Sequence, residues 1–220
     1  INLQPSEIMK IFIILCLAKY FHRKRLENVN SFYSIIFSMI IILLPMSLVI
    51  IQPDLGTSIL ISVSGILVLW FSGLNHKYFF YSFLISILSL PFIISFLKPY
   101  QKLRVLTFLN PDRDPLGAGY QIIQSKIAVG SGGLFGKGFL QGTQSYLEFL
   151  PEKHTDFIFT LFSEEFGFLG SVILLLLYAI IIYRVIKIGS ISRSYFAKLF
   201  CYSFGGSLFV FITINMSMVL

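Results

Sequence analysis

SFYSIIFSMIIILLPMSLVII, residues 31–51, contains 21 residues and no charged side chain. At 1.5 Å per residue a helix of that length reaches about 30 Å, the thickness of the hydrocarbon core of a bilayer. Pro45 lies inside the run; in a membrane helix the backbone groups a proline frees are satisfied by neighbours, so a kink is expected there and not a break. QPDLG, residues 52–56, then makes a tight turn into a second apolar run over 55–73. Comparable stretches occupy 5–21, 77–97, 157–184 and 196–220, which gives six candidate spans and an all-α polytopic membrane protein. Pro91 interrupts the fourth span as Pro45 does the second.

The composition agrees. Of 220 residues 56% are hydrophobic and 12% charged, with a mean hydropathy of +0.84, against roughly 25% charged in an ordinary soluble domain. A soluble globule is excluded, and so is a disordered chain, which cannot carry this much apolar surface. Cys16 and Cys201 both sit in apolar runs, so neither a disulfide framework nor a cysteine zinc site is available. Ile1 at the start and Leu220 inside an apolar run read as the ends of a piece of a longer protein, with a single membrane domain expected over 1–220.

Lysine and arginine in short loops orient the spans. KYFHRKRLENVN at 19–30, NHK at 75–77 and the segment holding Arg184, Lys187, Arg193 and Lys198 place three loops on the cytoplasmic side. By alternation QPDLG and the long segment 98–156 face outward, and Trp70, Tyr78, Tyr81, Tyr100 and Tyr183 fall near span ends, where interfacial aromatics belong. The net charge of +7 follows from this orientation, so nucleic acid is not expected as a partner.

The outer segment holds 5 of the 10 acidic residues: Asp112, Asp114, Glu148, Glu152 and Asp156. Its glycines alternate with apolar pairs such as Ile122-Ile123 and Leu134-Phe135, which predicts short amphipathic helices at the membrane surface. GSGGLFGKG, residues 130–138, is not a phosphate loop: that motif needs glycine at 131 and serine or threonine at 138, where Ser131 and Gly138 stand. With no nucleotide motif in view, energy for chemistry must come from the substrate.

LEFLPEKHTDFIF, residues 147–159, is the strongest local feature. Asp156 stands at the outer mouth of the fifth span, before what reads as a continuous apolar helix. It is either a helix cap, with Thr155, or a partly desolvated general base with His154 beside it. Glu7 and Lys10 are three residues apart on one helical face, at a depth where charges face a cavity or a partner, or staple two helices. Glu164 and Glu165 raise the same question about 12 to 14 Å below Asp156. Asp54 is read as a cap for the third span, and Lys98, Lys102, Arg104, Arg113, Lys126, Lys137 and Lys153 as cations for a diphosphate or for lipid headgroups.

QPSEIMK at 4–10, QPDLGTS at 52–58, RVLTFLNPDRDPLGAGYQIIQSKIAVGSGGLFGKG at 104–138 and GTQSYLEFLPEKHTDFIFTLFSEEFGFLG at 142–170 closely resemble the SEDS family (shape, elongation, division, sporulation). DPLGAGYQIIQSKIAVGSGGL and the GTQS before LEFLPE incline the likeness to its RodA-like elongation branch over the septal FtsW-type branch. The resemblance implies a ten-helix inner-membrane glycosyltransferase, of which the six spans are helices four to nine. It further implies polymerisation of lipid II into peptidoglycan glycan strands alongside a class B penicillin-binding protein and the membrane proteins of the elongation complex. On the same basis Asp156 matches the family's essential outer aspartate, Glu7 and Lys10 its intramembrane pair, and Glu148 a further motif acid; Asn2 stands where many members have arginine.

The implied chemistry is inverting transfer. Asp156 takes the proton of the acceptor 4-hydroxyl, which attacks the donor's anomeric carbon opposite the diphosphate. Lys10, Arg104 or Lys153, together with a divalent cation (Mg or Mn), stabilise the leaving diphosphate, and no covalently bound cofactor is expected. The residues expected to bind substrate are thus Glu7, Lys10, Arg104, Glu148, Lys153 and His154. Two rivals remain: a flippase for lipid-linked precursors, which predicts midplane charges and an inverted repeat, and an inactive scaffold, in which the acids are freely replaceable.

Overall fold

α1 (Pro5–His22) starts with proline in its first turn, where a missing N–H costs nothing, carries Glu7 at the positive end of the helix dipole, and ends with Lys19 and His22 at the negative end. The computed structural model describes residues 4–24, 28–52, 54–96, 102–103, 106–107, 118–142 and 158–219. Among these residues the chain is helical, without strands: after α1 come α2 (Phe32–Ile51), α3 (Leu55–Phe71), α4 (His76–Phe96), α5 (Ala118–Ser131), α6 (Ile158–Ile191) and α7 (Tyr195–Val219). Each of the six apolar stretches contains a helix among the described residues, and α5 lies between the fourth and fifth in sequence. Among the described residues three helical stretches are long and apolar enough to cross a membrane, Phe32–Ile51, Ile158–Ile191 and Tyr195–Ser217, and Leu55–Phe71 is a shorter apolar helix.

The chain divides into two compact units, Ile1–Leu84 with Ile180–Phe211, and Ile85–Ala179 with Ile212–Leu220. In the first, α1 is packed against both α2 and α3. Its core joins Ile14, Leu17 and Phe21 of α1, Ile42 of α2, Ile61 and Val68 of α3, and Leu199 of α7. The buried polar groups here are small. Ser38 returns its hydroxyl to the Ser34 carbonyl within α2, and Ser64 of α3 meets Ser207 of α7 at 2.7 Å. Such hydroxyl contacts let helices approach closely without an unsatisfied donor in an apolar layer. The opposite face of α2, with Phe37, Ile40, Leu44 and Leu48, is exposed, as a lipid-facing surface is. The turns are tied by Asn30, whose side-chain oxygen accepts from the Asn75 N–H at 2.9 Å, and by Tyr195, whose hydroxyl donates to the Ser72 carbonyl at 3.1 Å.

The second unit gathers Phe159 and Leu174 of α6, Val129 of α5 and Met216 of α7. Here the structure departs from the sequence reading twice. The fifth span is not continuous: Gly167 has φ 66° and ψ −165°, which breaks α6 into an upper segment, 158–166, and a lower one. The lower segment also runs past 184 to Ile191, so Arg184 and Lys187 belong to the helix and not to a loop.

Candidate active site

Glu7 and Lys10 come together as the helical spacing predicts. The Lys10 ammonium lies 2.7 Å from Glu7 Oε2, with the lysine side chain 12% exposed and the glutamate 48%. The pair lies along α1 and staples no second helix by itself. Of the two, Lys10 reaches α7: its Nζ sits 4.7 Å from the centre of the Phe211 ring. Both residues border a cavity of about 190 Å³ that is otherwise lined by Ile11, Ile14, Leu60, Phe204, Ser207, Leu208 and Phe211. The walls are apolar, with the Glu7–Lys10 ion pair at the edge.

The larger surprise lies in the second unit. Residues 132–138, which follow α5, run as a strap across the break in α6. The N–H of Lys137 donates to the Glu164 carbonyl at 3.0 Å and that of Gly138 to the Glu165 carbonyl at 3.0 Å. Beyond the break the Phe168 N–H donates to the Gly133 carbonyl at 2.9 Å and the Leu169 N–H to the Leu134 carbonyl at 3.1 Å. The strap thereby satisfies the backbone groups that an interrupted helix leaves open. Its side chains reinforce it: Lys137 Nζ lies 2.7 Å from Oε1 of Glu164, whose side chain is fully buried while that of Lys137 is 26% exposed. Beneath the pair Ser163 and Ser171 share a 2.9 Å hydroxyl contact, and Ser171 donates to the Gly167 carbonyl at 2.9 Å.

Sequence reasoning assigned Lys137 to the outer cations and treated Glu164 as an open question; the structure joins them. Two carboxyl groups in an apolar run signal a need for a cation, but one 27 residues away cannot be picked out by helical or strand spacing. Glycine in the strap and at the break is required by close approach. A Cβ on Gly136, at φ 82°, would strike the Glu165 carbonyl, and one on Gly167 would come within 2.8 Å of the Leu134 carbonyl and closer still to the Gly136 nitrogen.

Asp54 caps α3, as read: the Thr57 N–H donates to Oδ1 at 3.0 Å and the Thr57 hydroxyl to Oδ2 at 2.6 Å. Arg104, Glu148, Lys153, His154 and Asp156 lie outside the described residues. Among the described residues no three His, Cys, Asp or Glu side chains come together to hold a metal ion. At the α1 cavity Lys10 engages Oε2 of Glu7, the one carboxylate among the residues that line it.

Comparison with known proteins places the chain. The family model for FtsW, RodA and SpoVE, described as a cell cycle protein, matches residues 1–220. Peptidoglycan glycosyltransferase MrdB of Escherichia coli (strain K12) is 44% identical over 224 residues, covering all of this chain and 59% of that protein. Stage V sporulation protein E of Bacillus subtilis (strain 168) is 39% identical over 194 residues, covering 85% of this chain and 50% of the relative. The chain thus spans at most about three fifths of the length of these relatives. Among solved structures, a chain from a peptidoglycan synthase complex studied for its coordination of polymerization and crosslinking matches with a TM-score of 0.78 at 30% identity, covering 100% of this chain and 60% of that one. A mutant of the Thermus thermophilus rod shape determining protein RodA shares the fold, with a TM-score of 0.60 at 21% identity over 98% of this chain and 54% of its own. A whole-length family match and a relative of this identity, on motifs that already carried the likeness, show that the chain belongs to the SEDS family of FtsW, RodA and SpoVE.

Proposed function

We propose that the protein is a peptidoglycan glycosyltransferase that polymerises lipid II into glycan strands during cell elongation. The observation that carries this reading is the 44% identity with the Escherichia coli glycosyltransferase MrdB across every residue of the chain. The six apolar helices are helices four to nine of a ten-helix bundle in the cytoplasmic membrane, and the active side faces outward. Lipid II joins a polyprenyl tail to a diphosphate and sugars, and the apolar cavity edged by Lys10 has the chemistry to receive the junction of tail and phosphate.

In this mechanism Asp156 accepts the proton of the acceptor's 4-hydroxyl as that oxygen bonds to the donor's anomeric carbon. The bond from that carbon to the diphosphate breaks, and the configuration inverts from α to β. The diphosphate takes both electrons, and Lys10, Arg104 or Lys153 offsets its growing charge, an interaction whose value rises where water is excluded. No second carboxylate is needed to activate water, because the nucleophile is a sugar hydroxyl. Glu148 and His154 complete the substrate contacts. A class B penicillin-binding protein crosslinks the product, a partnership supported by the likeness to a chain of a synthase complex that coordinates the two activities.

The test is Asp156→Asn in the full-length protein. The substitution preserves shape and removes the basic carboxylate, so polymerisation is expected to fall by two orders of magnitude or more, while a correctly folded variant that polymerises near the wild-type rate refutes the assignment.

A further inference from the structure

We infer that Lys137 and Glu164 are positioning residues for the transfer reaction: the strap they close fixes the upper segment of α6, which begins two residues after Asp156 in the sequence. The inference rests on the reading of Asp156 as the general base.

An unbroken helix would hold its outer end through its own hydrogen bonds. Here the break at Gly167 removes that support, and the carbonyls of Glu164 and Glu165 are answered by the strap's amides instead. The orientation of residues 158–166 is therefore set by residues 132–138. Backbone bonds fix the register of this splice, and the Lys137–Glu164 ion pair locks it from the side. A buried carboxylate is a poor way to gain stability, because desolvation cancels most of the attraction and apolar packing does as well or better. Its geometric demand is the more useful property: the pair is satisfied in one arrangement of strap and helix.

The lever is short. Gly167 lies nine residues below Ile158, roughly 13.5 Å along the helix, so a tilt of about 10° at the break moves the outer end of the segment by about 2.3 Å. Displacements of that order in a reacting group cost up to about a hundredfold in rate. Loss of the pair should therefore fall mainly on kcat, because the α1 cavity with Lys10 at its edge is lined by residues outside 158–166.

The experiment compares Lys137→Met and Lys137→Arg in the full-length protein, assembled with its penicillin-binding partner in nanodiscs, with Asp156→Ala in parallel. Turnover of lipid II is measured over a range of concentrations, together with amide exchange of residues 136–138. Lys137→Met is expected to lose ten- to a hundredfold in kcat with KM within about threefold of wild type, and to exchange faster in the strap. Arginine, which keeps the ion pair, is expected to restore kcat to within about threefold. Should Lys137→Met fail to fold, Lys137→Met with Glu164→Leu removes the buried charge together with its partner and is expected to fold with the same kcat loss. A normal kcat in a variant whose strap exchanges faster overturns the inference, as does an arginine variant with the ion pair intact and no recovery. Full polymerisation by Asp156→Ala sinks the general-base reading itself, whatever Lys137 does.

Discussion

Replacing Gly167 by alanine tests the splice in α6 most severely. At φ 66° and ψ −165° this residue occupies a region that is essentially closed to side chains, and forcing alanine into it costs about 1–3 kcal/mol. The new Cβ would also press on backbone, within 2.8 Å of the Leu134 carbonyl, and backbone cannot turn aside as a flexible side chain can. Relief requires the strap to lift, which gives up some of its four backbone bonds to α6 at about 1 kcal/mol each. Taking about 2 kcal/mol of strain and one lost bond, the closed strap is destabilised by about 3 kcal/mol, or about a hundredfold in its opening equilibrium. Hydrogen exchange followed by mass spectrometry on the nanodisc-embedded protein reads this directly. Peptides covering 132–138 are expected to exchange about a hundredfold faster in the variant, with a peptide from α2 unchanged as an internal reference. Exchange within about threefold of wild type over 132–138 would refute the claim that the strap and the broken helix depend on each other.

Two further outcomes follow from the first unit. Lys10→Met removes the cation at the edge of the α1 cavity; loss of one charge-assisted bond to the lipid-borne diphosphate, about 1.5–3 kcal/mol, lowers kcat/KM for lipid II about tenfold or more, and an unchanged kcat/KM in steady-state polymerisation contradicts the role. Asp54→Ala deletes the cap on α3 and is expected to cost about 1 kcal/mol, seen as a fall of about 2–4 °C in Tm with polymerisation intact; a loss of activity without a change in Tm would show that Asp54 does more than cap.

The helices were legible because span length and hydropathy are local properties. The runs at 31–51 and 55–73 are separated by a turn whose Asp54 announces the next helix, and α2 and α3 begin and end within two residues of the reading. The Glu7–Lys10 pair was legible for the same reason, since three residues on a helix bring side chains to one face. What escaped is non-local. A hydropathy average passes smoothly over Gly167 because its neighbours stay apolar on both sides, and the residues that make the break tenable lie in a separate segment, at 132–138. GSGGLFGKG resembles a phosphate loop only in its glycine content; those glycines bring backbone against backbone, and the lysine answers a carboxylate of the same chain. The basic end of α6 escaped for an opposite reason: Arg184 and Lys187 lie in the basic stretch that oriented the spans, but a helix does not stop at a membrane surface unless something breaks it.

The measurement that bears most directly on the central claim is glycan-strand formation from lipid II by the full-length protein, purified with a class B penicillin-binding partner whose own catalytic serine is disabled. Wild type is predicted to give ladders of polymer and Asp156→Ala none. Ladders from both would keep the polymerase and remove Asp156 from its chemistry, and none from either would contradict the polymerase assignment itself.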